Sequence, residues 1–241
     1  MKKLVKKAFF SSSFWISSGL FVLCSFITLN ANLKIDNVYE LAKSNLDMFY
    51  YGVMTFNIVI NSIAPFFAII AASPIIFEEK HSIDKPKSFI CSGLIGGLVF
   101  LISEIIILFI LSIIYPPTFQ LNIDASGTFQ IFSHNIALYF SLFFINSFLI
   151  GCFYSMLSFS IYIDKKNFAA STMIPFLIYN ARLYYPFKNT TIYDYLPIDT
   201  FDVASKGRSI ESHIISLLFI GFLAIGIYIY KTKINKRSND K

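Results

Sequence analysis

Charge is scarce in this chain, and where it is missing matters more than how much is missing. Only 14% of the 241 residues are Asp, Glu, Lys or Arg, against about 25% in an ordinary soluble domain. Four long apolar stretches, 8–29, 51–77, 89–115 and 136–163, hold no Lys or Arg at all. Short strands of alternating polarity, about ten residues each, are also missing, which excludes a membrane β-barrel. Cysteine supplies no scaffold: Cys24, Cys91 and Cys152 fall inside or at the edge of apolar stretches, with no CxxC spacing and no His at ligand distance. They read as small buried apolar residues rather than a disulfide framework or a metal site.

Catalytic signatures are absent too. No Gly-x-Ser-x-Gly-like serine accompanies an intramembrane His, as a rhomboid-type protease would need. The pair Glu78 and Glu79 is followed by Ile83 where a prenyl-protein-type protease would have Arg. His81 and Cys91 are ten positions apart, with Cys91 expected inside the next helix, so a Cys/His peptidase is not indicated. No internal repeat or low-complexity linker is evident. The connections at 30–50, 116–135 and 186–213, and the shorter ones between them, leave no room for a nucleotide-binding, sensor or soluble catalytic domain. The chain is expected not to be an enzyme, and its energy source is expected to be a partner or a gradient.

What is present is length. A hydrocarbon core about 30 Å thick takes about 20 helical residues to cross, and backbone groups in lipid must be paired within their own segment. The four stretches, with 168–185 and 214–230, predict an all-α, polytopic integral membrane protein of six transmembrane helices. Mean hydropathy of +0.64 agrees. The lysines orient it. Lys2, Lys3, Lys6, Lys7, Lys80, Lys85, Lys87, Lys165, Lys166, Lys231, Lys233, Lys236, Arg237 and Lys241 fall in alternate gaps, whereas only Lys34, Lys43, Arg182, Lys188, Lys206 and Arg208 fall in the others. The positive-inside rule then places both termini in the cytoplasm. The net charge of +6 follows from that topology, and nucleic-acid binding is not implied. The first apolar stretch is too long for a cleavable signal and is expected to stay as an uncleaved first span. The fifth runs about 14 residues before Arg182 and contains Pro175, so it crosses fully only if Arg182 snorkels outward.

Three local features stand out. The segment 78–88 between the second and third spans carries Glu78, Glu79, Lys80, His81, Asp84, Lys85 and Lys87, with Pro86 opening the next helix where a missing N–H costs nothing. It is either a plain solvated loop or a contact segment. Glu104 is the only charged residue deep in a span, about 22 Å from its cytoplasmic start at 1.5 Å per residue. Such a carboxyl faces the bundle interior or a wet path, or is neutral. It is either part of a pathway or subunit interface, or a lock between two helices, with Asn57, Asn61 and Asn146 as candidate partners. The outer stretch around Tyr184, Tyr185, Tyr193 and Tyr195 places dense aromatics beside prolines, as an interfacial anchor or a substrate-exit lip would. His134 and His213 are expected at outer span edges.

The order of basic N-terminus, span, outer loop, span, acidic turn, span, two spans joined by a tight basic turn, aromatic outer segment and last span with basic tail resembles a permease subunit of the type-2 ABC exporter superfamily. The local match is Phe77-Glu78-Glu79-Lys80 leading to Pro86; Ser82 departs from the Gly that many members have after the acidic pair. The resemblance implies one transmembrane permease domain over 1–241, with 78–88 as a coupling turn seated on a cytoplasmic ABC ATPase and 186–213 as the outer aromatic segment. It further implies a second permease chain in a homodimer or heterodimer, ATP and Mg bound by the ATPase partner and no cofactor on this chain, a bacterial cytoplasmic (plasma) membrane location, and export of a hydrophobic or peptide-like substrate. The alternative is an ATPase-independent secondary transporter or substrate-binding membrane component that uses Glu104 as a protonation or ligand site.

Overall fold

The structure is a computed structural model that describes residues 1–35, 44–50, 53, 58–77, 85–117, 135–165, 167–180 and 209–239; at 32–35, 58–62, 85, 164–165 and 234–239 it describes the backbone alone. Among these residues every regular element is a helix: α1 (Lys2–Phe9), α2 (Ser12–Ile35), α3 (Asn45–Phe49), α4 (Ile58–Ile76), α5 (Lys85–Ile114), α6 (Ile136–Lys165), α7 (Phe168–Tyr179) and α8 (Ile210–Asn239). Four contain segments long and apolar enough to cross a membrane: Ser12–Ala31, Pro86–Ile114, Ile136–Ile163 and Ile210–Lys233. The chain is therefore a membrane protein, all-helical among the described residues. The 12 residues of α7 make about 18 Å of helix, well short of a hydrocarbon core.

Helix boundaries differ from the apolar runs in four places. The first run does not start a span at Ala8. It breaks at Phe10, and the Ser11 hydroxyl donates to the Ala8 carbonyl at 2.6 Å while accepting from the Phe14 N–H at 3.3 Å, closing α1 and capping α2 with one side chain. The second run, described as helix from Ile58, is preceded by the short helix α3, at whose start Ser44 and Asp47 cap each other's N–H groups. The fifth run ends as helix at Tyr179, and Asn180 caps it. The last helix starts a turn early, at Ile210, so the end of the expected outer segment is helical and Ser212 and His213 are buried.

Many hydroxyls in this apolar setting are neutralised locally, although the buried Ser155 and Ser158 hydroxyls have no hydrogen-bond partner among the described residues. Ser25, Ser103, Ser112, Ser147, Ser160, Thr172 and Ser216 each donate to the carbonyl four residues back, a bond that lets a serine sit in a buried helix without an orphan donor. Cys24, Cys91 and Cys152 are free thiols.

The tightest packing is α5 against α6. A side chain on Gly151 would run into the backbone of Gly96, one on Gly96 into Ser155, and one on Gly97 into Phe148 and Cys152. Ser147, Gly151 and Ser155 recur every fourth residue, as do Ser92 with Gly96 and Gly93 with Gly97. Such small-residue ladders let two backbones approach where lipid offers no hydrophobic drive for helices to pair. The two helices run antiparallel, with Phe100 beside Gly151 and Phe89 beside Phe159 at 6.2 Å between rings. Helix α4 packs against α1, α2, α5, α6 and α7, its Ala64, Ala68, Ala71 and Ala72 fully buried, so with α5 it forms the centre of the bundle. Phe77 and Phe89 mark one end of the bundle, meeting Tyr162, Phe168 and Tyr228; α3 marks the other, with Phe49 against Phe140 and Phe143.

Gly151→Ala is expected to lower stability by about 1–3 kcal/mol, the usual cost of overpacking. Gly19→Ala and Gly226→Ala, where an added methyl meets nothing within 4 Å, should leave it unchanged or raise it by up to about 1 kcal/mol, the helix-propensity gain of Ala over Gly. Thermal unfolding in detergent followed by circular dichroism separates them, and equal melting of all three would refute the seam.

Candidate functional site

A polar layer crosses the bundle at one level. Ser17 of α2 donates to the Phe67 carbonyl of α4 at 2.6 Å, and the neighbouring Ser18 lies 2.8 Å from Ser103 of α5. The single hydroxyl proton of Ser103 goes to the Val99 carbonyl at 2.6 Å, so Ser18 is the donor between them. Next along α5 comes Glu104, fully buried, with the Ser147 hydroxyl of α6 beside its carboxyl. Ser147 spends its own proton on the Phe143 carbonyl at 3.1 Å. Neither carboxyl oxygen of Glu104 has a hydrogen-bond partner among the described residues. On the adjoining face of α6, Asn146 Oδ1 stands 2.7 Å from His213 Nε2 of α8, both side chains buried. With Asn146 as acceptor, Nε2 carries the proton, which fixes the tautomer.

Glu104 is held at this level by the glycine seam. Because the close approach sets Gly96 by Ser155 and Phe100 by Gly151, Glu104, one turn beyond Phe100 on α5, comes level with Ser147, one turn before Gly151 on α6. Lipid-facing side chains of α5 at this depth are apolar: Ile105 and Phe109 are exposed, so the carboxyl and the lipid contacts occupy different faces of one helix.

The residues singled out in the sequence divide cleanly. Glu104 lies inside the bundle, as the cost of a lipid-exposed carboxyl requires. Asn146 is also inside, but hydrogen-bonds His213 rather than the Glu104 carboxyl. His213, expected at an interfacial edge, is 1% exposed and belongs to the polar layer. Lys87 is exposed in the first turn of α5, and Lys85 is the first residue of that helix. Asn61 lies on α4 with its backbone alone described. Asn57, Glu78, Glu79, Lys80, His81, Asp84, Tyr184, Tyr185, Tyr193 and Tyr195 lie outside the described residues, as does His134. No cluster of three His, Cys, Asp or Glu able to hold a metal occurs among the described residues.

No protein-family model, curated protein or solved structure matches this chain.

Two mutational outcomes follow from the layer. Glu104→Met keeps the volume and removes two buried acceptors that lack donors, so it should raise unfolding free energy by about 1–3 kcal/mol, the desolvation cost of an unsatisfied polar group; a fall in thermal stability would show that the carboxyl has a donor. A double-mutant cycle on Asn146→Ala and His213→Ala should yield a coupling of about 0.6 kcal/mol, the average for hydrogen bonds between membrane helices, and no more than about 1.7 kcal/mol. Additive effects would mean that the 2.7 Å contact contributes nothing.

Proposed function

We propose that this chain is the membrane-spanning permease subunit of an ATP-driven exporter of the type-2 ABC kind, moving a hydrophobic or peptide-like substrate out of the cytoplasmic membrane. The observation that carries the reading is the acidic-then-polar segment Phe77-Glu78-Glu79-Lys80 to Pro86, placed between the second and third long apolar stretches. The packing supports it. Helix α4 ends at Ile76 and α5 begins at Lys85, so eight residues join α4 to the helix that carries Glu104. Both helix ends lie at the end of the bundle where α1, with four lysines, also packs: Cys91 Sγ is 3.8 Å from the Met1 carbonyl. The positive-inside rule assigns that end to the cytoplasm, where an ATPase subunit would sit.

In this reading, ATP and Mg are held by two cytoplasmic ATPase subunits. Their closure pushes on the 78–87 segments of two permease chains, homodimeric or heterodimeric. Glu78 and Glu79 make the polar contacts with the ATPase, and Lys80, His81, Asp84, Lys85 and Lys87 flank them. Six crossings per chain give twelve per transporter, with α4 and the region of α7 completing the four long spans. The stretch bearing Tyr184, Tyr185, Tyr193 and Tyr195 forms the outer lip. A second reading, a gradient-driven transporter or substrate-binding component, draws its support from Glu104 alone, whose buried oxygens have no described donor.

Affinity purification of the tagged chain from its native membrane tests the first reading directly. An ABC ATPase should co-purify with the native chain and be lost from the Glu78→Lys/Glu79→Lys variant. Recovery of no ATPase under mild detergent, even after crosslinking, would sink the permease assignment and bring Glu104 and a gradient forward.

A further inference from the structure

Helix α1 carries a surface that the permease reading does not use. Lys2, Lys3, Lys6 and Lys7 are spaced so that both pairs fall on one face of the helix, and Leu4, Val5, Ala8 and Phe9 fall on the other. Ala8 is fully buried and Leu4, Val5 and Phe9 pack on the core, against α4 and α5. The apolar face of α1 is thus occupied by the protein itself. All four lysines are exposed, and no acidic residue lies in the helix. Lys87 is exposed at the adjoining start of α5.

The elbow between α1 and α2 shows what lies against this surface. Phe10 is 69% exposed, Ile16 57% and Trp15 46%. Trp15 is held by ring contacts with Phe9 at 5.6 Å and Phe14 at 5.5 Å. Lysines toward the bundle end, with outward-facing aromatic and aliphatic side chains next to them, match the layering of a membrane edge, where apolar side chains face acyl chains and ammonium groups reach back to the phosphates. A soluble acidic partner would offer carboxylates to the lysines but nothing to Phe10, Trp15 and Ile16. Because the apolar face of α1 is already buried in protein, its attraction to the membrane is electrostatic, and electrostatic attraction selects anionic lipids.

We propose that the lysine face of α1 is a binding site for the phosphate headgroups of anionic phospholipids, with Trp15 facing the acyl chains beneath it. This site goes beyond the permease reading and stands whether or not an ATPase is recovered.

Trp15 is the only tryptophan in the chain and serves as the native probe. The full chain is placed in nanodiscs of equal phosphatidylcholine and phosphatidylglycerol, with brominated acyl chains on one lipid or the other. Brominated phosphatidylglycerol should quench Trp15 more strongly, by about fivefold in local enrichment, the effect of about one well-placed lysine near an anionic surface. Rising salt should erase the difference. Lys2→Gln, Lys3→Gln, Lys6→Gln and Lys7→Gln together should abolish it, whereas Arg at the same four positions should keep it. If the Gln variant fails to insert, the salt titration and the Arg variant still decide. Equal quenching by both lipids in the wild type would overturn the site and leave the lysine face to an acidic protein; a preference that survives high salt would overturn its electrostatic basis.

Discussion

The contact between Gly96 and Gly151 sets the rest of the bundle. In lipid, the tails are as apolar as leucine, so two helices gain nothing from hiding apolar surface on one another; they associate through close van der Waals fit and hydrogen bonds. Here the fit is backbone to backbone, and it fixes the rotation and the register of α5 against α6 together. Phe89 lies by Phe159, Phe100 by Gly151, and Glu104 by Ser147 as consequences of that single register. Rotating α5 by one residue, about 100°, would bring Ser103 into the seam and turn Glu104 toward lipid, where Ile105 now lies. An intramembrane carboxylate costs about 2.5–3.5 kcal/mol on insertion scales, so the glycine ladder and the placement of Glu104 are one constraint seen from two sides.

Serine chemistry then decides which polar groups can reach between helices. Most hydroxyls give their proton to the carbonyl one turn back and are used up. Three serines form cross-links between helices: Ser17 to Phe67, Ser18 to Ser103, and Ser160, whose one proton is shared between the Met156 carbonyl of its own helix and the Ala224 carbonyl at 2.9 Å. Together with Asn146 and His213 they tie α2, α4, α5, α6 and α8. Such bonds are individually small in membranes. Their effect is on specificity, since each closes only in one rotational setting of its helix.

The large elements were legible in the sequence because a membrane imposes them: runs of 22 to 28 residues without Lys or Arg read directly as helices, and α5 and α6 start or end within about a turn of the expected limits. The seam was also written there, as small residues at four-residue spacing, Ser147-Gly151-Ser155 against Gly93 and Gly97. Other features were not legible. The break at Phe10 and Ser11 falls inside a continuous apolar run, and hydropathy does not distinguish a capping serine from a buried one. The pairing of Asn146 with His213, in place of Glu104, depends on how α6 is rotated between α5 and α8. Periodicity gives the faces of each helix but not which helix each face meets. His213 looked interfacial because it precedes the last apolar run, yet α8 begins a turn before that run and carries the imidazole inside.

Where α4 sits determines what a push on the segment after it could do. Pro65 and Pro74 lie inside α4, and each removes a backbone hydrogen bond and favours a bend. A helix at the centre of a bundle that can bend at two points passes displacement to all its neighbours rather than to one. Helix α5, eight residues further on, is by contrast locked to α6 at the glycine seam and interrupted by no proline after Pro86. Force delivered to the segment between them would therefore divide unequally: α4 would yield while the α5–α6 pair held its register. The interface that then slides is that of α4 and α2 with α5, where the Ser17–Phe67 and Ser18–Ser103 contacts lie one residue apart on α2 and Glu104 is the next residue along α5. On this geometry, the polar layer is where motion of α4 would be felt first.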